Sequence, residues 1–196
     1  MTTIANNFEN VEVIKQEDHP VCDEESMGCE RLETMLNTGK IVHAYRDVKD
    51  VLVSIYFYKE HIRKKFNQPS NNLTFSHYLL QKNSYSSTFY HKMNKVEFWR
   101  YHLESWMAIP NILHLSFEDS VSKPEEILLK LEEYLQIPLR SNRKPPEEWD
   151  KGQTVFFRNG KAGDWVNHFS KSDEHWVEQE LIKPLNFTPI QCSFLE

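Results

Sequence analysis

The sequence predicts an α/β domain in which a parallel sheet is flanked by helices. Two short apolar runs, at 40–45 (KIVHAY) and 111–117 (NILHLSF), are typical of buried strands. Each run is followed closely by a pattern typical of a helix, and strands that alternate with helices indicate a parallel sheet. No internal repeat is found in the chain. We therefore expect a single domain over residues 1–196.

The composition is that of one folded domain. The 196 residues are 39% hydrophobic and 13% aromatic, which suffices for a packed core and excludes global disorder. The net charge of -6 argues against a protein that coats nucleic acid. The three cysteines lack a paired metal spacing, and no apolar run approaches the length of a membrane span. We expect a cytoplasmic protein with no metal, nucleic-acid or membrane partner.

Local signals place the elements of the first half. Residues 30–37 are helix-like and end at Gly39, where a left-handed residue would close the helix. Asp47 follows the first strand and stands at the N-cap position of a helix over 48–65. Residues 66–93, rich in Asn and Ser, are expected to form a loop-and-helix excursion over the surface.

The second half continues the alternation. An amphipathic pattern over 94–108 predicts a helix before the second strand. Ser122 is the expected N-cap of a later helix, with Pro124 in its first turn. That helix is expected to pack into the core through four residues at helical spacing: Ile127, Leu128, Leu131 and Leu135.

Three further segments complete the organisation. Residues 1–10 are expected to form a disordered tail. Residues 138–154 are rich in proline and charge, which favours a linker or flap over a second domain. A final helix is expected over 172–183.

The turn after the first strand carries residues suited to an anion. Arg46 lies at the sheet edge where α/β proteins bind ligands, and Ser54 follows about two helical turns later. A guanidinium, a hydroxyl and the amides of a helix N-terminus together suit a phosphate. The same pattern also fits an Arg46 paired with a surface carboxylate and a Ser54 packed against the sheet.

A second candidate segment is 156–165 (FFRNGKAGDW). Its two glycines, two cations and asparagine would let the backbone approach a polyanion closely. A solvated turn would have the same composition.

Three blocks of the chain resemble the cytosolic sulfotransferases. Residues 40–58 (KIVHAYRDVKDVLVSIYFY) resemble a strand, arginine and Lys-Asp segment of that family, and 156–169 (FFRNGKAGDWVNHF) resemble its RKGxxGDWKNxF signature. Between them, 114–137 is similar to an LxYEDxxxxPxxxxxxIxxFL block. The blocks occur in the family's order, and the resemblance covers about 40–190.

The resemblance implies a fold like that of the P-loop nucleotide-binding proteins and transfer of a sulfuryl group from 3′-phosphoadenylyl sulfate (PAPS) to a hydroxyl or amine of a small acceptor. Arg46 and Ser54 fall on the family's contacts to the 3′-phosphate, and Phe117 falls near the cofactor. Arg158, Asn159 and Gly160 fall on the RKG element that holds the same phosphate, with asparagine replacing a lysine. The acceptor pocket would draw on residues 66–93.

In this family the catalytic base comes from a Lys-Thr-His triplet after a short strand. Here VEVIK (11–15) ends at Lys15 and is followed by a turn with altered spacing. His19 is the first candidate for the base, and Glu17 is the strict positional match. Lys15, with the turn after it, is a candidate to replace the loop that binds the phosphosulfate in this family. A lone histidine in a polar turn is also often solvated.

The phosphosulfate-binding loop of the family, which resembles TYPKSGTTW, has no counterpart among these residues. The resemblance therefore implies a chain that lacks its first βα unit, and the strand edge at 40–45 would then favour self-association. A catalytically degenerate member that binds a 3′,5′-bisphosphorylated nucleotide, or a partner, without turnover is the alternative. A nucleoside-phosphate kinase is disfavoured because no GxxxxGK[ST] pattern can be written.

Overall fold

The computed structural model describes residues 34–37, 39–69, 73–82, 93–138 and 160–185. Within them, strands β1 (Val42–Tyr45) and β2 (Leu113–Ser116) pair in parallel, with Val42 opposite Leu113. Parallel neighbours need a long crossover connection, and helices supply it here. The expected α/β class, a parallel sheet flanked by helices, is confirmed.

In the described part of the connection between the strands there are three helices: α1 (Val48–Lys65), α2 (Phe75–Leu80) and α3 (Lys95–Met107). As expected, Asp47 is the N-cap of α1, and its carboxylate accepts hydrogen bonds from the amides of Lys49 and Asp50. Capping satisfies amides that the helix itself leaves without a partner, so α1 begins sharply at the end of β1.

Within the described residues, four further helical segments follow β2. They are α4 (Phe117–Ser122), α5 (Pro124–Leu135), a 3₁₀ turn (Asp164–Asn167) and α6 (Lys171–Ile182). Pro124 stands at the start of α5, as the sequence predicts, and α6 corresponds to the final helix expected at 172–183.

The core lies where α1, α2, α3 and α6 meet. Its buried members are Val48, Leu52, Tyr78, Leu79, Val96 and Val177. Leu79 is only 1% exposed. The expectation that 66–93 is purely a surface excursion is therefore wrong for α2, because two apolar side chains of this short helix belong to the core.

Three local expectations are also corrected. Gly39 closes the preceding turn through a hydrogen bond to the Met35 carbonyl, but its φ is not positive. Ser122 ends α4, where its hydroxyl donates to the Glu118 carbonyl, and so it does not cap α5. Leu128 is 43% exposed, and Ile127 is the buried residue of α5, which packs on β2 and α4.

Two expected segments, 1–10 and nearly all of 138–154, lie outside the described residues. In the part of the chain that is described, no helix is both long enough and apolar enough to cross a membrane.

Candidate functional site

The candidate site lies where β1 ends and α1 begins. Two other segments reach the same place: the start of α4 and the loop from Gly160 to Trp165. Asp47 joins α1 to α4, because its backbone amide donates to a carboxylate oxygen of Glu118 at 3.2 Å. This edge, at the carboxyl ends of parallel strands, is where open α/β sheets bind ligands.

Arg46 is held on three sides at this edge. Its Nη2 donates to the carbonyl oxygen of Lys161 at 2.7 Å and lies 3.2 Å from a carboxylate oxygen of Asp50. The guanidinium carbon lies 4.4 Å from the centre of the Phe117 ring, a cation–π contact. Its Nε is buried and has no hydrogen-bond partner among the described residues. Arg46 therefore has a fixed position and retains one unused buried donor.

Asp50 ties the loop to the helix. Its side chain is fully buried, and it accepts hydrogen bonds from the backbone amides of Gly163 at 2.7 Å and Trp165 at 3.0 Å. Gly163 has a φ of 77° and Gly160 a φ of 62°, a left-handed conformation that favours glycine. The two glycines allow the loop to turn so that its amides meet one carboxylate.

Lys49 provides a second link between α1 and this region. Its ammonium lies 2.9 Å from Glu174 and 3.2 Å from Glu178 of α6, and 4.1 Å from the centre of the Trp165 ring. Burial lowers the pKa of Lys49, but the hydrogen bonds and charges of the two glutamates outweigh it, so the pKa is raised. Lys49 is therefore cationic at neutral pH and holds α6 beside the Trp165 turn.

Two of the predicted site residues, Arg46 and Phe117, are in contact at this edge, and the loop that begins at Gly160 reaches Arg46 through the carbonyl of Lys161. Ser54 is half-buried on α1, one turn beyond Asp50, so both lie on the same face of the helix. The other candidates lie outside the described residues: Lys15, Glu17, His19, Arg158 and Asn159.

The sequence did not single out Asp50 or Lys49 for a role. The available signal was an acid four residues after Arg46 at the start of a helix, a spacing that brings the two side chains together. The alternative interpretation, in which Arg46 pairs with a surface carboxylate, agrees with the structure in the pairing but not in the partner's position: Asp50 is buried.

The described part of 66–93 borders a cavity elsewhere. Leu73, Tyr78 and Gln81 line a volume of about 250 Å³ together with Tyr56 and Lys59 of α1. By helical periodicity, these α1 residues lie on the opposite face from Asp50 and Ser54. The cavity therefore does not adjoin Arg46. Within the described ranges, no cluster of three His, Cys, Asp or Glu side chains is arranged to hold a metal.

A family model described as "Sulfotransferase domain" matches residues 30–179. Among curated proteins, the chain is 25% identical over 155 residues to sulfotransferase 6B1 of Danio rerio, covering 71% of this chain and 50% of that protein. It is 26% identical over 164 residues to cytosolic sulfotransferase 11 of Arabidopsis thaliana, covering 70% of this chain and 45% of that protein.

Two solved structures resemble the fold. One is mouse sulfotransferase SULT7A1 complexed with PAP, with a TM-score of 0.51 and 20% identity over 72% of this chain and 56% of that one. The other is retinol dehydratase in complex with androsterone and inactive cofactor PAP, with a TM-score of 0.54 and 20% identity over 79% of this chain and 50% of that one. The chain spans about half the length of the relatives it matches.

Proposed function

The chain belongs to the sulfotransferase domain family, and on that premise we propose that it transfers the sulfuryl group of PAPS to a hydroxyl or amine of a small acceptor. The relatives carry the name of that activity, and two structural neighbours are complexes with PAP, the desulfated nucleotide. Several relatives are named cytosolic, which supports a cytoplasmic place for the reaction.

The observation that carries the proposal is the setting of Arg46. A guanidinium at the end of a parallel strand, beside a helix N-terminus and a glycine loop, suits a phosphate group. The unused Nε donor of Arg46 would gain a partner in a phosphate oxygen. We assign Arg46 and Ser54 to the 3′-phosphate.

The remaining roles rest on the family motifs. We assign Arg158, Asn159 and Gly160 to the same phosphate and Phe117 to the wall of the nucleotide site. In the reaction, the acceptor oxygen or nitrogen forms a bond to sulfur while the bond from sulfur to the bridging phosphate oxygen breaks. His19, Glu17 or Lys15 would take the acceptor's proton or stabilise the leaving oxygen.

Nucleotide binding tests the proposal. We expect calorimetry to show that adenosine 3′,5′-bisphosphate binds about tenfold or more tightly than adenosine 5′-monophosphate, since a charge-assisted phosphate contact contributes about 1.5–3 kcal/mol. Equal affinities would overturn the assignment of the 3′-phosphate site.

Turnover is tested separately, with radiolabelled PAPS and a panel of phenols, alcohols and amines. Sulfated product would support transfer by this chain. Preference for the bisphosphate without any sulfated product would assign the catalytically degenerate alternative.

A further inference from the structure

We infer that Asp50 is a positioning residue that joins Arg46 and the Gly160–Trp165 loop into one phosphate site. The inference rests on the proposed function and deepens it. Asp50 itself would not touch the nucleotide. It would act through the guanidinium and the loop backbone that it holds.

The contacts of Asp50 use both of its carboxylate oxygens. Oδ2 accepts from the Gly163 amide at 2.7 Å and lies 3.2 Å from Nη2 of Arg46, and Oδ1 accepts from the Trp165 amide at 3.0 Å. A fully buried carboxylate is costly unless it is hydrogen-bonded and paired, and here both conditions are met. Any rearrangement of Arg46 or the loop would leave part of that charge without a partner.

Arg46 and Asp50 together hold the loop at three backbone positions. Arg46 donates to the carbonyl of Lys161, while Asp50 accepts from the amides of Gly163 and Trp165. Gly160 directly precedes these positions and begins the described part of the loop. The residues assigned to the phosphate from this loop are thus attached in sequence to a segment that the pair fixes.

The charges at the site are consistent with anion binding in spite of Asp50. The Asp50 carboxylate accepts from two amide N–H groups and lies against a guanidinium, so its charge is compensated within the protein. The Nε–H of Arg46 takes no part in these contacts and has no partner in the part of the chain that the structure describes. Asp50 therefore orients the guanidinium and leaves one of its donors for a ligand.

The test is Asp50→Asn, a substitution that keeps the size of the side chain and removes its charge. The amide replaces one acceptor oxygen by a donor. At either position that donor faces an N–H group: those of Gly163 and Arg46 at the Oδ2 position, or that of Trp165 at the Oδ1 position. We expect the ratio of affinities for adenosine 3′,5′-bisphosphate and adenosine 5′-monophosphate to fall about tenfold, the value of one charge-assisted hydrogen bond.

The ratio separates positioning from stability. If Asp50 only stabilised the fold, the substitution would lower the folded fraction and reduce the apparent affinity for both nucleotides equally. The ratio of the two affinities would then not change. An unchanged ratio would overturn the inference. Glu60→Gln is the matched control, since it breaks another arginine–carboxylate pair of α1, at 2.6 Å to Arg63, outside the site. That variant should leave the ratio unaltered.

The outcome in the unaltered chain distinguishes the two proposals. If it shows no preference for the bisphosphate, the proposed 3′-phosphate site fails and the inference fails with it. If it shows the preference and Asp50→Asn keeps it, the inference alone fails. Should Asp50→Asn not fold, hydrogen exchange of the unaltered chain decides: the bisphosphate should slow exchange at the Gly163 and Trp165 amides, and an unchanged rate would overturn the inference.

Discussion

Nδ1 of His43 lies 3.0 Å from Nδ1 of His114, across the two neighbouring parallel strands. One ring must donate its proton and the other must accept it, so the bond cannot form when both rings are protonated. His43 is 7% exposed and stacks on Trp106, with ring centres 5.2 Å apart, and His102 meets it edge-on at 5.8 Å. The Tyr45 ring also stacks on His43, with ring centres 6.0 Å apart.

This setting predicts a loss of stability in mild acid. Burial, with a smaller contribution from His114, lowers the pKa of His43 from 6.5 to about 4. Below pH 6.5 His43 is protonated in the unfolded chain, whereas in the folded chain it stays neutral until the pH reaches about 4. The free energy of unfolding therefore falls as the pH falls through this window. The loss is about 3 kcal/mol at most. Urea denaturation at several pH values measures it.

His43→Phe identifies the group responsible. Phenylalanine can keep the stacking on Trp106 but binds no proton, so the slope of stability against pH should become flatter between pH 6.5 and 4. His61→Gln, at an exposed position of α1, should keep the slope of the unaltered chain. An unchanged slope in His43→Phe would show that other groups cause the acid sensitivity.

Replacing Lys49 with methionine should weaken the attachment of α6. Its ammonium contacts Glu174, Glu178 and the Trp165 ring, and its side chain is 12% exposed. Because both glutamates are more than a third exposed, we expect a loss of only about 1 kcal/mol in the free energy of unfolding. The loss should shrink in 1 M salt, which screens the ion pairs. Lys64→Met, at an exposed end of α1, should cost less, and equal losses would contradict the role given to Lys49.

The sequence was informative at the junction of β1 and α1, although other local signals gave wrong expectations for Gly39 and Ser122. The apolar run before Asp47 and the cap itself predicted β1 and α1, because both signals lie within a few residues. It failed where packing between distant segments decides. The spacing of Leu128 matches a core stripe, but its exposure depends on which elements cover α5, and Tyr78 is buried only because α2 folds onto α1.

The same distinction holds at the site. Arg46 could be placed because it stands at the end of a predicted strand, at the sheet edge where α/β proteins bind ligands. Phe117 was placed there only through the resemblance to the family. The partners of Asp50 could not be predicted, because the Gly163 amide lies 113 residues away along the chain. A local sequence pattern cannot predict a contact between residues so far apart in the sequence.

Removal of the Arg46 side chain should affect one nucleotide much more than the other. Arg46→Ala should lower the affinity for adenosine 3′,5′-bisphosphate about tenfold or more and leave the affinity for adenosine 5′-monophosphate nearly unchanged. Only the bisphosphate carries the phosphate assigned to Arg46. Arg46→Lys should lose only part of the affinity for the bisphosphate, since lysine keeps the positive charge but not the planar guanidinium that can form two parallel hydrogen bonds. Titration calorimetry measures both affinities.

Arg63→Ala is the control for that experiment. Arg63 lies on the same helix and pairs with Glu60, away from the site. It should change neither affinity. If Arg46→Ala weakened both nucleotides to the same extent, Arg46 would not contact the 3′-phosphate.

The catalytic base remains a prediction from the sequence, since His19, Glu17 and Lys15 lie outside the described residues. If the chain transfers sulfate, His19→Ala should lower turnover about 10²–10⁴-fold, the usual contribution of a general base, and leave nucleotide affinity nearly unchanged. The separation follows because a base acts on the acceptor's proton and not on the adenosine phosphates. Glu17→Gln is the matched variant, two residues away in the same turn. If sulfate transfer persists in His19→Ala and is abolished in Glu17→Gln, the general base is Glu17 instead. Glu17 is the residue that matches the family's triplet by position alone.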